Sequence, residues 1–384
     1  MHVDAVDTLG HDGVWFDPLW RVEVVLTATE RALLTAWPVR RLAFVAHAGA
    51  AAITTVQAYS RLEHSLGVLA LVAHFAPDDH DARVTALLHD VGHLPFSHTL
   101  EGIAGLDHHT LGRAAVHDLA RTYPVDAERV IAIDDGRRPS VLTPAHGGLK
   151  LDHLDSFLRS GQAHGRTTTP PHELLRRLRL VDGAVDADPD DAAELVDLAV
   201  REARAQRSPA NLVPVTVLRA LVSRAVAGGL LDDAGLAAAT DDELWAVLAT
   251  DPATATEARS LRRHPERWRL HVGRTSGAGV YRHVVRRSYL DLPTADGRTL
   301  HDPRVGELSA SLPYEVAVRY EANPSGAQST TTRPAATIPP GTTTPSGAQS
   351  TTTRPIATIP PGTTTPSGTT TPPSATMGPC ARTT

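Results

Sequence analysis

The sequence is poor in aromatic residues and almost free of cysteine. Phe, Trp and Tyr make up 4% of its 384 residues, so a core has to be built mainly from Ala, Leu and Val. The one cysteine, Cys380, lies near the C-terminus. This excludes a disulfide within the chain and a zinc site built from thiolates. A chain of this length can hold one large domain or two ordinary ones.

The chain also lacks an excess of positive charge and a long apolar run. Its net charge is −6, so no basic field attracts nucleic acid or anionic lipid, and we do not expect nucleic acid as a partner. No stretch approaches the roughly 18 uninterrupted apolar residues of a membrane span. The first residues lack the basic and apolar pattern of a secretion signal. We therefore predict a cytoplasmic protein without a membrane-spanning segment.

The composition changes sharply near Ala322. Ser325 begins the segment SGAQSTTTRPAATIPPGTTTP, Ser346 begins a second copy that differs at one residue, and Ser367 begins a partial third copy. These repeats are rich in Thr and Pro and cannot bury enough apolar surface to offset the entropy of ordering. We predict that residues 323–384 form a disordered tail. A dispensable tail is the simplest interpretation, and a glycosylated stalk is an alternative that would require export.

Most of the chain before this break has the apolar spacing of helices. LEHSLGVLALVAHF and DARVTALLHDV predict two strong helices, and DPLWRVEVVLTATERALLTA has helical spacing toward its end. LRLVDGAVDAD contains an Asp-Gly pair typical of a hairpin. SGAGVYRHVVRRSYLDLP fits either a strand pair or a helix. We predict an all-α fold with at most a small β-hairpin, in which residues 1–170 form the core and residues 171–322 a helical extension of the same globular unit.

One short stretch, ALLHDVGHLPFSH from Ala86 to His98, has three histidines and an aspartate. Gly92 and Pro95 end the helix just after His89 and Asp90, so both side chains lie at a helix terminus. An imidazole beside a carboxylate suits a borderline divalent ion. A buried histidine is more often a hydrogen-bonded core residue, but the two further histidines on a short loop favour a site.

Two more ligands are available on neighbouring helices. His64 lies in YSRLEHSLG, before this stretch, and Asp152 lies in LKLDHLDSF, after it. Three helices that converge on an ion can build a His2Asp2 site, with Mn, Mg, Fe, Co, Ni or Zn as the ion. Such an ion can position a phosphate and lower the pKa of an attacking water.

These segments resemble a known superfamily. RLEHSLGV, LLHDVGHLPFSH and DHLDSFLRSG resemble, in this order, the H…HD…D motifs of the HD phosphohydrolases. The extended pattern HDxGHxPFSH resembles the branch of deoxynucleoside triphosphate triphosphohydrolases, which includes bacterial dGTPases. The resemblance spans residues 17–290 and is strongest over residues 59–161. It implies the helical HD-domain fold and a His-His-Asp-Asp metal site.

The resemblance also implies a role for single residues. The residues that match the metal ligands are His64, His89, Asp90 and Asp152. Arg61 matches an arginine that contacts the substrate phosphate; a solvated arginine at a helix start is the alternative. The residues that match catalytic groups are His93, His98, Glu101, which matches an acid that orients a histidine, and His108. Loop-bracing histidines are the alternative for His93 and His98.

The sequence departs from the family pattern where the family contacts the nucleoside. In VRRLAFVAHAG, His47 replaces a glutamine that helps to read the sugar. After Asp152 the family has Lys, Tyr and Asp, whereas this chain has His153, Ser156 and Ser160. We assign His47 and His153, together with Arg61, to substrate binding.

From the resemblance we expect a metal-dependent phosphohydrolase with a nucleotide substrate. A (d)NTP triphosphohydrolase that releases nucleoside and triphosphate is the leading hypothesis. A phosphatase of nucleoside monophosphates and a nucleotide sensor with weak turnover are the alternatives. Relatives assemble into nucleotide-controlled oligomers, which leaves a homo-oligomer open without fixing a number of subunits.

Overall fold

Helices dominate the part of the chain that this computed structural model describes, residues 13–55 and 57–322. The helices are α1 (Ala28–Thr35), α2 (Trp37–Arg40), α3 (Arg61–Phe75), α4 (His80–Leu88), α5 (His108–Ala120), α6 (Ala127–Asp134), α7 (Leu151–Ala163), α8 (Pro171–Leu175), α9 (Pro189–Gln206), α10 (Pro209–Ala227), α11 (Asp233–Ala238), α12 (Asp241–Thr250), α13 (Ala255–Arg263) and α14 (Pro303–Ala310). The predicted disorder of residues 323–384 lies outside the described residues, and the predicted boundary near residue 170 stays a prediction.

The strands form three small sheets. They are β1 (Val14–Asp17), β2 (Val22–Val25), β3 (Arg179–Val181), β4 (Ala184–Ala187), β5 (Trp268–Val272), β6 (Val280–Val285), β7 (Thr294–Ala295), β8 (Arg298–Thr299) and β9 (Tyr314–Tyr320). Their orders are β1-β2, β3-β4-β7-β8 and β5-β9-β6. The fold is thus mostly helical, as predicted. The described residues contain more β structure than the single small hairpin that we expected at most.

The predicted hairpin is present, and the undecided segment is a strand. Asp182 and Gly183 both have positive φ, 50° and 80°, as a tight two-residue turn between β3 and β4 requires. The segment from Ser276 to Pro293 contains β6, whose partner β9 comes from a part of the sequence in which we predicted no strand.

The N-terminal segment has a strand pair before its first helix. The helical spacing that we predicted toward the end of residues 17–36 is confirmed by α1, which starts at Ala28 with Thr27 as its N-cap. Before it, β1 and β2 pair across a turn in which Arg21 has a φ of 53°. In β2, Val24 is buried between exposed neighbours, which is the alternation of a strand rather than of a helix.

Helix α3 lies at the centre of the main core. It packs against α4 and α7, and α4 packs in turn against α6. A helix that is apolar on nearly all sides has to be buried on all sides, and the residues from Leu66 to Val72 of α3 are all buried. This packing brings the first turn of α3, the end of α4 and the start of α7 together.

Helix α10 supports the neighbouring loop from the other side. Among the described residues it is the one helix that is long and apolar enough to cross a membrane, with a mean hydropathy of 1.3, and half of it is buried in the protein. Its residues Val217 and Leu221 share a core with Leu94, Phe96 and Leu100 of the loop after α4. This packing is that of a core helix.

Candidate metal centre

Two imidazoles face each other across α3 and α4. His64 lies in the first turn of α3, which begins after the N-cap Ser60. His89 follows the last residue of α4 directly, and its amide still donates to Thr85 O at 2.8 Å. The Nε2 atoms of His64 and His89 are 3.4 Å apart. The end of α4 therefore presents His89 to His64, as the sequence predicted from Gly92 and Pro95.

Two carboxylates lie beside these nitrogens. Asp152, in the first turn of α7, places Oδ1 3.1 Å from His64 Nε2 and 4.0 Å from His89 Nε2. Ligand atoms of His64, His89 and Asp152 all lie within 4.8 Å of one another. Asp90 lies alongside, with Oδ2 3.9 Å from His64 Nε2 and Oδ1 3.5 Å from His89 Nε2. The four residues that the resemblance selected therefore meet at one point.

The outer nitrogen of each imidazole is held by an acceptor. His64 Nδ1 donates to Asp155 Oδ2 at 2.8 Å, and His89 Nδ1 donates to Ala86 O at 2.9 Å. An acceptor on Nδ1 fixes the proton there and leaves the Nε2 lone pair for a metal ion. The donor set of two imidazoles and two carboxylates fits a divalent transition ion.

The charges at this point also favour a cation. Burial works against a charge on His64, but hydrogen bonds to Asp152 and Asp155 outweigh it and raise the pKa of His64 to about 9. Burial works to raise the pKa of Asp152, but Lys150 and His153 outweigh it and hold that pKa well below its usual range. The site therefore holds a proton between His64 and Asp152 where an ion could bind instead.

Arg61 is buried beside the carboxylate of Asp90. Its Nη1 donates to Oδ2 and Oδ1 of Asp90 at 3.0 and 3.1 Å, and its Nε donates to Ser97 Oγ at 2.9 Å. The side chain of Arg61 is only 5% exposed, so it is not a solvated arginine at a helix start. It connects Asp90 to the loop after α4.

That loop has an unusual backbone. Phe96 and Ser97 have φ values of 55° and 54°, in the left-handed region that non-glycine residues rarely adopt. Phe96 N donates to Asp241 Oδ1 at 2.6 Å, and Ser97 Oγ donates to Ala46 O at 2.6 Å. The loop is thus held by α12 and by the segment before α3.

Three further imidazoles, those of His93, His98 and His108, form a cluster on this loop and at the start of α5. The rings of His93 and His108 stack with centroids 4.5 Å apart, and the ring of His98 lies edge-on to both. His93 Nε2 lies 3.0 Å from Asp90 Oδ1, so the cluster adjoins the metal ligands. His108 Nδ1 donates to Glu101 Oε2 at 2.8 Å.

His93 and His98 are neutral near pH 7. Burial, with repulsion from Arg61, lowers the pKa of His93 to about 3. Burial, with repulsion from His93, holds the pKa of His98 well below its usual range. Within the described part of the chain, Nδ1 of each ring is buried and has no hydrogen-bond partner. These nitrogens can accept a hydrogen bond or a proton.

His47 and His153 lie on two other sides of the metal group. The ring of His47 is 4.5 Å from that of His64, and its Nε2 is 3.1 Å from Ser156 Oγ. His153 Nδ1 donates to Asp291 Oδ2 at 2.5 Å, and Asp291 lies on the segment after β6. All residues that we predicted for the site therefore lie at or next to the metal group or the imidazole cluster.

Sequence reasoning missed four residues that shape this site: Lys150, Asp155, Tyr289 and Asp291. Lys150 Nζ lies 2.6 Å from Asp152 Oδ2. The ring of Tyr289 lies 5.3 Å from His153 and 5.8 Å from His98. The (i, i+4) pair of Asp155 and Arg159 could have been found in the sequence, but no local pattern links Tyr289 to residues about 130 to 190 positions earlier.

Family comparison agrees with this geometry. Residues 61–182 match the HD domain family. HD domains bind divalent metal ions. His64, His89 and Asp152, all in the matched segment, form a group that could hold such an ion, and Asp90 lies beside them in the same segment.

Similar sequences cover part of the chain. An uncharacterized protein of Methanocaldococcus jannaschii is 32% identical over 128 residues, which is 31% of this chain and 27% of the relative. The uncharacterized Bacillus subtilis protein YwfO is 31% identical over 129 residues, which is 28% of this chain and 30% of the relative. The chain thus matches less than a third of the length of either protein.

Solved structures share the fold over more of the chain. A phosphohydrolase from Bacteroides thetaiotaomicron superposes with a TM-score of 0.60 at 14% identity, covering 80% of this chain and 99% of that one. A hypothetical protein from Aquifex aeolicus gives 0.56 at 19% identity, with 80% and 96% coverage. At these identities the likeness is one of fold.

Proposed function

We propose that this protein is a metal-dependent phosphohydrolase that hydrolyses a nucleoside triphosphate to nucleoside and triphosphate. One observation carries the proposal: Asp90 lies between the metal-capable group and the neutral imidazole cluster. Its Oδ2 faces His64, and its Oδ1 is 3.0 Å from His93 Nε2. A phosphate held by the ion is then within reach of groups that exchange protons.

Metal binding is the task of His64, His89, Asp90 and Asp152. A divalent ion at this point supplies positive charge that stabilises a phosphate and activates water. Asp155 and Ala86 O hold the two imidazoles in the ligand orientation. Lys150 pairs with Oδ2 of Asp152, so Oδ1, which lies 3.1 Å from His64 Nε2, is the oxygen that would bind an ion.

Proton transfer is the task of the imidazole cluster. Hydrolysis joins a water oxygen to the α-phosphorus and breaks the bond from that phosphorus to the sugar oxygen, so one proton leaves the water and one reaches the sugar oxygen. His98 has the most exposed side chain of the three, at 34%, and is neutral, so it accepts a proton from water. Glu101 keeps the proton of neutral His108 on Nδ1 and so leaves the lone pair of that ring on Nε2.

Substrate contact is the task of residues around the rim. Nε and Nη1 of Arg61 are engaged by Ser97 and Asp90, so Nη2 is the group that would reach a phosphate. Tyr289 presents an aromatic ring beside His98 and His153, and the guanidinium of Arg287 lies 5.5 Å over that ring. A planar base and a phosphate chain suit such a combination of ring and cation.

A nucleoside monophosphatase is the second candidate. Arg61 and Lys150, the cations beside the metal ligands, already pair with Asp90 and Asp152. A monophosphate has less charge to neutralise than a triphosphate, so it needs fewer free cations. Ser156 and Ser160 stand at positions after Asp152 where the family has other residues, and their hydroxyls are already hydrogen-bonded. Ser156 bonds His47, and Ser160 bonds Glu202.

A product-resolved assay decides between them. The purified protein is incubated with each dNTP, NTP and nucleoside monophosphate, with Mn, Mg, Co, Ni or Zn added singly. We expect metal-dependent release of triphosphate, lost in His64→Ala and Asp90→Ala and retained in His117→Ala, whose imidazole is half-exposed on α5. Phosphate from monophosphates alone would replace the first candidate by the second. Saturable nucleotide binding without any product would indicate a sensor.

A further inference from the structure

The carboxylate behind His64 belongs to a buried network that leaves the HD segment. Asp155 and His64 are both fully buried, and Asp155 Oδ2 accepts from His64 Nδ1 at 2.8 Å. Asp155 Oδ1 accepts from the indole Nε1 of Trp20 at 2.7 Å. Arg159 adds two bonds to the same carboxylate, from Nε at 3.0 Å and from Nη2 at 2.8 Å.

The network ends in the turn between β1 and β2. Asp17 Oδ2 accepts from Arg159 Nη2 at 3.0 Å. Asp17 Oδ1 accepts from the backbone amides of Leu19 and Trp20 at 2.9 and 2.8 Å, which shapes the turn that aims the indole at Asp155. Asp17 and Trp20 are 0% and 1% exposed. Both lie outside the matched residues 61–182.

A glycine leaves the space that this network needs. Gly67 lies on α3, one turn after His64. A methyl group at that position would stand 2.1 Å from Arg159 Nη2 and 2.2 Å from Asp155 Oδ1. Non-bonded atoms do not approach so closely, so any other side chain at position 67 would displace the pair. The absence of a side chain at Gly67 therefore leaves room on α3 for Asp155 and Arg159, which hold His64 in place.

This arrangement has a direct consequence for the imidazole. A carboxylate can only accept, so Asp155 forces the proton of neutral His64 onto Nδ1 and the lone pair onto Nε2. Trp20 and Arg159 occupy Oδ1 and prevent the carboxylate from rotating away. A carboxylate that orients a metal-binding histidine raises metal affinity about 10- to 100-fold in known sites.

We propose that Asp155 is a positioning residue for the metal centre and that Trp20 and Asp17, from the N-terminal hairpin, complete it. The inference rests on the metal role of His64 in the proposed function. Removing the indole N–H of Trp20 or the charge of Asp155 should let the His64 ring change its orientation or tautomer. Neither substitution changes any of the four residues that would bind the metal.

The experiment measures binding of Co²⁺ alone to the full chain, by competition with a chelator and by visible absorption of the bound ion. Asp155→Asn puts an amide N–H against His64 Nδ1, because Trp20 and Arg159 hold its oxygen, and so favours the wrong tautomer. We expect its Kd for Co²⁺ to rise about 10- to 100-fold. Trp20→Phe keeps the apolar volume and should raise Kd by less, with a shifted absorption band in both variants.

Trp15→Phe is the matched control, because Trp15 lies on the same hairpin and its indole N–H has no partner within the described residues. Its Kd and spectrum should equal those of the wild type. Far-UV circular dichroism verifies folding, and if Asp155→Asn does not fold, Trp20→Phe against Trp15→Phe decides. Equal Kd values and spectra for Trp20→Phe, Asp155→Asn and the control would overturn the inference and leave the proposed function standing. Failure of the wild type to bind Co²⁺ more tightly than His64→Ala would overturn both.

Discussion

Among single residues, His98 should affect turnover but not metal binding, whereas His64, His89, Asp90 and Asp152 should affect both. Its ring is neutral, adjoins His93 and His108, and approaches none of the four ligands in the contacts described above. If it carries the proton, His98→Ala should lower kcat about 10²- to 10⁴-fold and leave the Kd for Co²⁺ unchanged. Steady-state kinetics and the Co²⁺ titration measure the two quantities. A parallel loss of metal binding would assign His98 to the metal site instead.

His64 sets the pH dependence of metal binding. Its pKa is raised to about 9 by Asp152 and Asp155, so below pH 9 the ion-free protein holds a proton that the ion must displace. The affinity for a divalent ion should therefore rise about tenfold per pH unit up to about pH 9 and then level off. Titrations with Mn²⁺ in chelator buffers from pH 6 to 9 test this. An affinity that does not change with pH would show that no proton is held there.

Among the helices, α3 should lose stability when Gly67 is replaced. Gly67→Ala inserts a methyl group 2.1 Å from Arg159 Nη2, so it should lower the free energy of unfolding by about 1–3 kcal/mol. Gly112→Ala on α5 is the matched control, because the nearest atom to its methyl group would be Gly92 N at 3.7 Å. That change should be neutral or stabilising by up to about 1 kcal/mol. Urea unfolding compares the two variants, and equal stability would remove the role given to Gly67.

Local sequence signals predicted the end of α4 but not the strands β1 and β2. The end of α4 was predictable because Gly92 and Pro95 act locally. The approach of His64 to Asp152 was predictable because both belong to the motif. The strands β1 and β2 were not predicted, because each covers only four residues. Trp20 bonds Asp155 and Asp17 bonds Arg159 across 135 residues or more, and such contacts depend on packing that no local spacing encodes.

In the whole molecule, the residues of the site span more of the chain than the segment that matches the HD domain family. The matched segment, residues 61–182, contains His64, His89, Asp90, Asp152 and the imidazole cluster. Trp20, His47 and Asp17 precede it, and Tyr289 and Asp291 follow it. The part of the chain outside the matched segment therefore contributes residues to the rim and the support of the site.

The Thr/Pro-rich repeats should be dispensable for this chemistry. Every residue that we place in the site precedes Ala322, and the repeats offer little apolar surface for a core. A chain that ends at Ala322 should keep the kcat and the thermal midpoint of the full chain. A loss of turnover after this truncation would give the repeats a part in catalysis.

Metal content together with activity tests the central claim most directly. The full chain is stripped with a chelator, its metal content is measured, and hydrolysis of the best substrate is followed as one divalent ion at a time is added back. We expect one tightly bound ion per chain, no turnover without it, and no restoration in His64→Ala or Asp152→Ala. Full turnover by the stripped protein, or restoration in both variants, would contradict it.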